Sequence, residues 1–357
     1  MGGFDTSSIN DESLKTLYNY LLERTHNIIN VFKNVYSLED KSVDVSFIVS
    51  NRFQAEATCF SNKGYSIKIH SPTIFLMRLY FDAVLSLDPV ANLVTPLQRE
   101  LKPVDINFIP DVTNPLNQIK HQVYENQDRL FVSSTMTDLC STFIALHEVG
   151  HIVCGHAETA KLYFGEDQIL EVLDYDYFFK RGIILKQSME RDADVLSARL
   201  IPQYIEQLFE KINIDSRHSK AFQTLMKDSY PFENLIALCV SSLYSLFVYI
   251  TPKRPVNFRK LAHPHPILRA LYIKDAIINT LEERWPLRKD VVSRYCVKYF
   301  DQFDRAFGLL DMNIAHLYAG EFLTIDHDEE ISLIHQRASK MRKFSAKSSW
   351  FPIEEWQ

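Results

Sequence analysis

Apolar residues recur along most of this chain at the three-to-four-residue spacing of helices, and at the two-residue spacing of strands mainly near its start. Leu14, Leu17, Leu21, Ile28, Ile29 and Phe32 predict a first helix over about 11–37. VDVSFIVS (43–50), QAEATCF (54–60) and YSIKIH (65–70) then alternate or cluster strand-forming residues around the turn Ser61-Asn62-Lys63-Gly64. That pattern predicts a small antiparallel sheet. A helix is expected over PTIFLMRLYFDAVLSL (72–87), followed by an irregular proline-marked stretch from Pro89 to Pro115 with a short strand at VDINFI (104–109). Ser133 or Ser134 reads as the N-cap of a helix through TDLCSTFIALHEVGHIVC, whose apolar faces come from Leu139, Phe143, Leu146, Ile152 and Val153. Further helices are predicted at about 184–210, 232–250, 267–282, 287–308 and 328–343, with a Pro-rich joint at 252–266. The expected fold class is therefore α+β, mainly α, in three segments: 1–132 with the first helix, the sheet and the irregular insert; 133–282 as a helical core; and 283–357 as a helical extension.

Composition narrows the function classes. The 357 residues are 46% hydrophobic and 24% charged, with a formal net charge of −6. No bulk attraction to nucleic acid or to an anionic membrane follows. Glycine is scarce, at 9 residues, against 24 Phe and 17 Tyr, which favours long helices packed through aromatic rings. The 5 cysteines are scattered and form no Cys-x-x-Cys pair, as expected of a reduced, cytoplasmic protein. MGGFDTSSINDESLKTLYNY lacks the basic-then-apolar pattern of a signal peptide, and Gly2 and Ser7 do not have myristoylation spacing. The uncharged run 234–252, followed by Lys253 and Arg254, is near the lower limit of the ~17–25 residues a membrane span requires. It also carries Asn, Ser and Tyr, so a buried core helix is expected and a membrane partner is not. The basic stretches 251–260 and 337–347 read as solvated faces, and the aromatic-acidic run LDYDYFFKRG (173–182) as packing, with a lid as the alternative. There is no internal repeat, phosphate-binding glycine loop or nucleophilic Ser or Cys motif.

One ten-residue run carries the chemistry. In HEVGHIVCGH (147–156), His147 and His151 are four apart, hence about 40° apart around a helix and one turn along it, so two imidazole nitrogens can share one Zn²⁺. Glu148 lies about 100° round from His147, beside such a metal but not aimed at it, which suits a general base. A catalytic site needs a third protein ligand and an open position. His156 would lie about 180° round from His147 if the helix continues, and only a break at Gly155 could bring it back, so it is expected to face the other way as a structural residue. Cys154 is on the correct face but roughly 10 Å along the axis, and reads as core. In QSMERDADVLSARL (187–200), Glu190 and Asp194 are four apart, so one carboxylate can ligate while the other accepts a hydrogen bond from the far nitrogen of a ligating histidine.

HEVGHIVCGHAE resembles the active-site helix of the gluzincin metallopeptidases that include the heat-shock membrane protease and the CAAX-prenyl endopeptidases, where a further histidine recurs five residues after the second ligand. Glu190-Arg191-Asp192-Ala193-Asp194 is similar to their E-x-E-A-D ligand helix, with Asp for the inner Glu. HPHPILRA (263–270) resembles their His-Pro-x-Pro-x-x-Arg-Ile segment. The resemblance implies zinc held by His147, His151 and Glu190, Glu148 as catalytic base, and Asp194 behind the ligands. It also implies His263 and Arg269 near the substrate or bracing the site. YSIKIH (65–70) resembles the edge strand along which those enzymes lay an extended peptide. Similarity covers about half of the chain: the family's multi-span anchor has no counterpart here, and neither 88–132 nor the last 75 residues match it.

The expected activity is zinc-dependent hydrolysis of a peptide or protein substrate, with Glu148 moving the proton and His263 as the candidate to steady the oxyanion. Arg269 is expected to pair with Asp194 or Glu190, and His265 to be structural. The layout also resembles phage-exclusion peptidases that cut one host protein when triggered. A third alternative, a peptidase-like module that binds without turnover, is disfavoured by the presence of Glu148, the residue such a module could lose most freely.

Overall fold

The computed structural model describes residues 4–10, 12–50, 53–60, 64–94, 127–164, 168–170, 180–251, 263–309 and 327–350. After a short 3-10 turn at Thr6–Ser8, helix α1 (Glu12–Val35) leads into strands β1 (Ser42–Ile48), β2 (Ala55–Cys59) and β3 (Gly64–His70). Helices α2 (Pro72–Leu85), α3 (Asp88–Val94), α4 (Gln127–Val153) and α5 (His156–Phe164) follow, then strand β4 (Gln168–Leu170). The rest is helical: α6 (Lys180–Ile214), α7 (Ser216–Ala221), α8 (Gln223–Met226), α9 (Pro231–Ile250), α10 (Pro266–Glu282), α11 (Lys289–Leu309) and α12 (His327–Ser345). The α+β, mainly helical class holds. The strand expected at 104–109 lies outside the described residues, as do most of 173–182 and all of the joint from 252 to 262.

Two expectations about the sheet are corrected. It is mixed, not antiparallel: β2 pairs antiparallel with β3 and β4, but β1 runs parallel to β3. The strand order is β1-β3-β2-β4, so the strand expected at the edge, 65–70, lies inside the sheet with hydrogen-bonded neighbours on both sides. Alternation along a strand reports which face is buried and says nothing of which strand lies alongside. The odd residues Tyr65, Ile67 and Ile69, with Ala55 and Ala57, form the inner face and are at most 2% exposed.

Helix α4 starts at Gln127, six residues before the predicted cap. Ser133 and Ser134 are interior positions whose hydroxyls meet α2 side chains: Ser133 donates to Asp82 and Ser134 accepts from Arg78. Serine in front of an apolar stretch imitates a cap when its real partner is a neighbouring helix. Helix α9, which carries Glu233 in its first turn and most of the uncharged run, is the one described helix long and apolar enough to cross a membrane, and Phe232 to Val248 are buried inside the protein. It packs against α10 and α11, and α4 packs against α6. Among the described residues one large apolar core runs from Ile9 to Trp350 and takes residues from all three segments, with a small second cluster at Leu268 and Ile334.

Candidate metal centre

His147, Glu148 and His151 lie in the last two turns of α4, and all three are 0% exposed. What sets α6 against this stretch is the absence of a side chain: a Cβ on Gly150 would lie 2.9 Å from the Ala193 Cα. The two backbones therefore meet at Gly150 and Ala193, and Glu190, one turn before Ala193, comes to the two histidines. His147 Nε2 is 3.0 Å from His151 Nε2 and 3.1 Å from Glu190 Oε2, and His151 Nε2 is 3.6 Å from Glu190 Oε1. These three residues form a buried cluster able to hold a metal ion. For tetrahedral bonds of about 2.0–2.1 Å, neighbouring ligand atoms sit about 3.3 Å apart; the two Nε2 atoms are near that spacing, while Glu190 meets His147 through Oε2 and His151 through Oε1.

The far side of His147 fixes its proton. Nδ1 lies 2.9 Å from Asp194 Oδ1, so the ring proton belongs on Nδ1 and the Nε2 lone pair faces the cluster. Asp194 is itself held by Arg269, whose Nε and Nη2 donate at 2.9 and 2.7 Å, and by the Tyr272 hydroxyl at 2.5 Å. Burial works to raise the Asp194 carboxyl, but Arg269 and His147 outweigh it and hold the group well below the usual carboxylate range. Glu190 behaves likewise: burial opposes ionisation, yet His263, His151 and His147 keep it well below its ordinary value. Burial pushes His151 well below 6.5 against the pull of Glu190, which leaves a neutral imidazole, the form that ligates. Arg269 also stacks over Phe247, 4.1 Å from the ring centre.

The segment before α10 contributes two histidines with different jobs. His263 Nδ1 lies 3.1 Å from Glu190 Oε2. His265 caps α10, its Nδ1 accepting from Ile267 N–H at 3.2 Å, which is the structural place expected for it. The His263 contact sets Nδ1 against Glu190 and leaves Nε2 as the ring nitrogen on the other side.

His156 is corrected most. The helix does not continue: Gly155 adopts φ +73°, α4 ends at Val153, and α5 starts at His156. His156 turns back to His151, the two Nδ1 atoms being 3.1 Å apart. Burial holds it down to about 4, so it is neutral, and its Nε2 has no hydrogen-bond partner among the described residues. Leaving such a buried group unsatisfied costs roughly 1–3 kcal/mol.

Three further residues escaped sequence reasoning. Asp192 points away from the cluster, 0% exposed, and accepts from Arg191 at 2.8 Å and from both Arg342 Nε and Nη2 at 3.0 and 2.8 Å. Its position two residues after Glu190, about 200° round the helix, already signals an opposite face. Arg342 gives no such signal: it falls in the stretch 337–347 read as solvated, yet α12 packs on α6 and the side chain is mostly buried. Tyr272 is one turn from Arg269 on α10, a spacing visible only once Asp194 is known to need partners. Comparison with family models, with curated proteins and with solved structures finds no match for this chain.

Proposed function

We propose that the chain is a zinc-dependent endopeptidase acting on protein or peptide substrates in the cytoplasm. The observation that carries this reading is the buried His147-His151-Glu190 cluster, two nitrogens and one oxygen on two helices, with the Glu148 carboxylate next to His147 in the chain. Nitrogen and carboxylate donors at these spacings suit zinc. A divalent ion held there would polarise a scissile carbonyl and make a water acidic enough to attack near neutral pH. Glu148 takes a proton from the attacking water and delivers it to the leaving amine nitrogen. Asp194 keeps the His147 proton on Nδ1, and Arg269 and Tyr272 keep Asp194 ionised and in place. His263 orients Glu190 through Nδ1, and an N–H on its other ring nitrogen would serve the oxyanion. All five cysteines are free and buried, which accords with a reducing compartment.

Metal analysis of the purified protein, with cleavage of an unfolded protein such as casein, tests this reading. The expectation is about one zinc per chain, kept in Glu148→Gln and weakened in Glu190→Ala, with hydrolysis lost in both. A wild type without zinc, or a Glu190→Ala variant of unchanged affinity, overturns the site. Zinc binding with no turnover of any substrate would leave a binding module.

A further inference from the structure

We propose that His156 is a positioning residue of the metal centre: its Nδ1 accepts the Nδ1 proton of His151 and so holds that ring in the tautomer and orientation that turn its Nε2 to the metal. The inference rests on the zinc reading above and goes beyond it, because neither helical spacing nor the three-ligand cluster requires a fourth imidazole.

Two ring nitrogens 3.1 Å apart share one proton between them. His151 Nε2 faces His147 and Glu190, so ligation through that atom leaves the His151 proton on Nδ1. His156 Nδ1 is then the acceptor, and the proton of His156 sits on Nε2. Both rings are 0% exposed, so water does not compete for this bond, and among the described residues His156 is the sole partner of His151 Nδ1.

The chain is built to place this ring. Only a residue free to adopt φ +73° ends α4 here, and a Cβ at 155 would also strike the Ser348 backbone at 2.6 Å. The C-terminal segment seals the break: Trp350 N–H donates to the Val153 carbonyl at 2.8 Å, and the Ser349 hydroxyl to the same oxygen at 3.3 Å. A carbonyl exposed by the end of the zinc helix is thereby satisfied from nearly two hundred residues away. Replacing that contact by a continuing helix would carry His156 away from His151.

The test compares zinc release to a competing chelator from wild type, His156→Leu and His156→Asn, with thermal melts of the zinc-free forms. Asn places its Oδ1 where the His156 Nδ1 sits, so it keeps an acceptor for His151. His156→Leu is expected to weaken zinc binding about 10–100-fold, and His156→Asn to recover most of that loss. A purely structural role would lower the melting temperature of both variants with no difference in zinc affinity between them. Wild-type affinity in His156→Leu, or equal weakening in both variants, overturns the proposal while the zinc reading stands. A wild type that binds no zinc overturns both. Because the Leu variant can fail to fold, nitrogen-15 imidazole spectra of the zinc-loaded wild type supply a second readout. His156 is expected as the Nε2–H tautomer and His151 as Nδ1–H, and the reverse assignment also overturns it.

Discussion

His147 and His151 sit one turn apart on the same helix and bring their Nε2 atoms within 3.0 Å of each other, yet their far nitrogens meet opposite chemistry. Behind His147 is a carboxylate, Asp194, locked by Arg269 and Tyr272 in a network that joins α6 to α10. Behind His151 is a neutral imidazole from the next turn of chain, put there by a single glycine. Facing a common metal needs only helical periodicity, whereas backing each ligand needs tertiary structure, and the protein has solved the second problem in two ways. A charged backing raises ligand basicity and commits the fold to a buried ion pair. A neutral one adds no charge to a pocket that already holds Glu190 and Asp194.

The two backings should fail differently, and the largest effect belongs to the charged one. Asp194→Ala leaves Arg269, 2% exposed, without its carboxylate, and should cost about 3–5 kcal/mol in denaturant unfolding as well as weakening zinc. Arg269→Leu added to it should restore part of the stability without restoring zinc affinity, since the His147 partner stays missing. The pH dependence has a definite sign. Arg269 and His147 hold Asp194 below the ~3.9 of an unfolded aspartate, so its contribution is complete above about pH 4 and disappears as pH falls through the depressed value. The stability gap between wild type and Asp194→Ala in the zinc-free protein should therefore narrow in acid. A gap that is constant down to the acid transition would show that Asp194 is not an ionised partner of Arg269.

A smaller effect is expected where Glu190 is set against both histidines at once. Gly150→Ala puts a Cβ 2.9 Å from the Ala193 Cα, so α4 and α6 must separate. Overpacking of this kind costs about 1–3 kcal/mol, and the same displacement lengthens the Glu190 contacts to His147 and His151 together. Zinc titration of this variant should show weaker binding with no change in stoichiometry. Unaltered affinity would mean that the close helix contact does not position Glu190.

These two regions also mark what could be read from the sequence. His147, Glu148 and His151 follow from periodicity, because a regular helix fixes directions over four residues. Glu190 and Asp194 are legible as a pair four apart, and the structure brings both to His147; ligand and backing are the roles the resemblance to peptidase motifs implies for them. Helical spacing puts His156 on the wrong side, because its direction depends on a helix break whose end meets Ser348, Ser349 and Trp350. The same holds for Arg342, whose partner Asp192 is 150 residues away in the chain. The pattern of 65–70 identifies a strand, found at Gly64–His70, but not its place inside the sheet, since pairing order is a long-range property.

The smallest expected effect concerns Cys154, the residue just past the end of α4 and three after His151. Burial, reinforced by Asp192, pushes its thiol well above the usual value, which favours the neutral thiol of a core residue. It is 3% exposed and belongs to the apolar core. Cys154→Ala should therefore lose about 1 kcal/mol of stability for the missing sulfur contacts and keep full zinc stoichiometry. If zinc content falls instead, His151 would have a thiolate neighbour competing for the metal. The contrast between a carboxylate-backed and an imidazole-backed histidine would then no longer describe how this site divides its ligands.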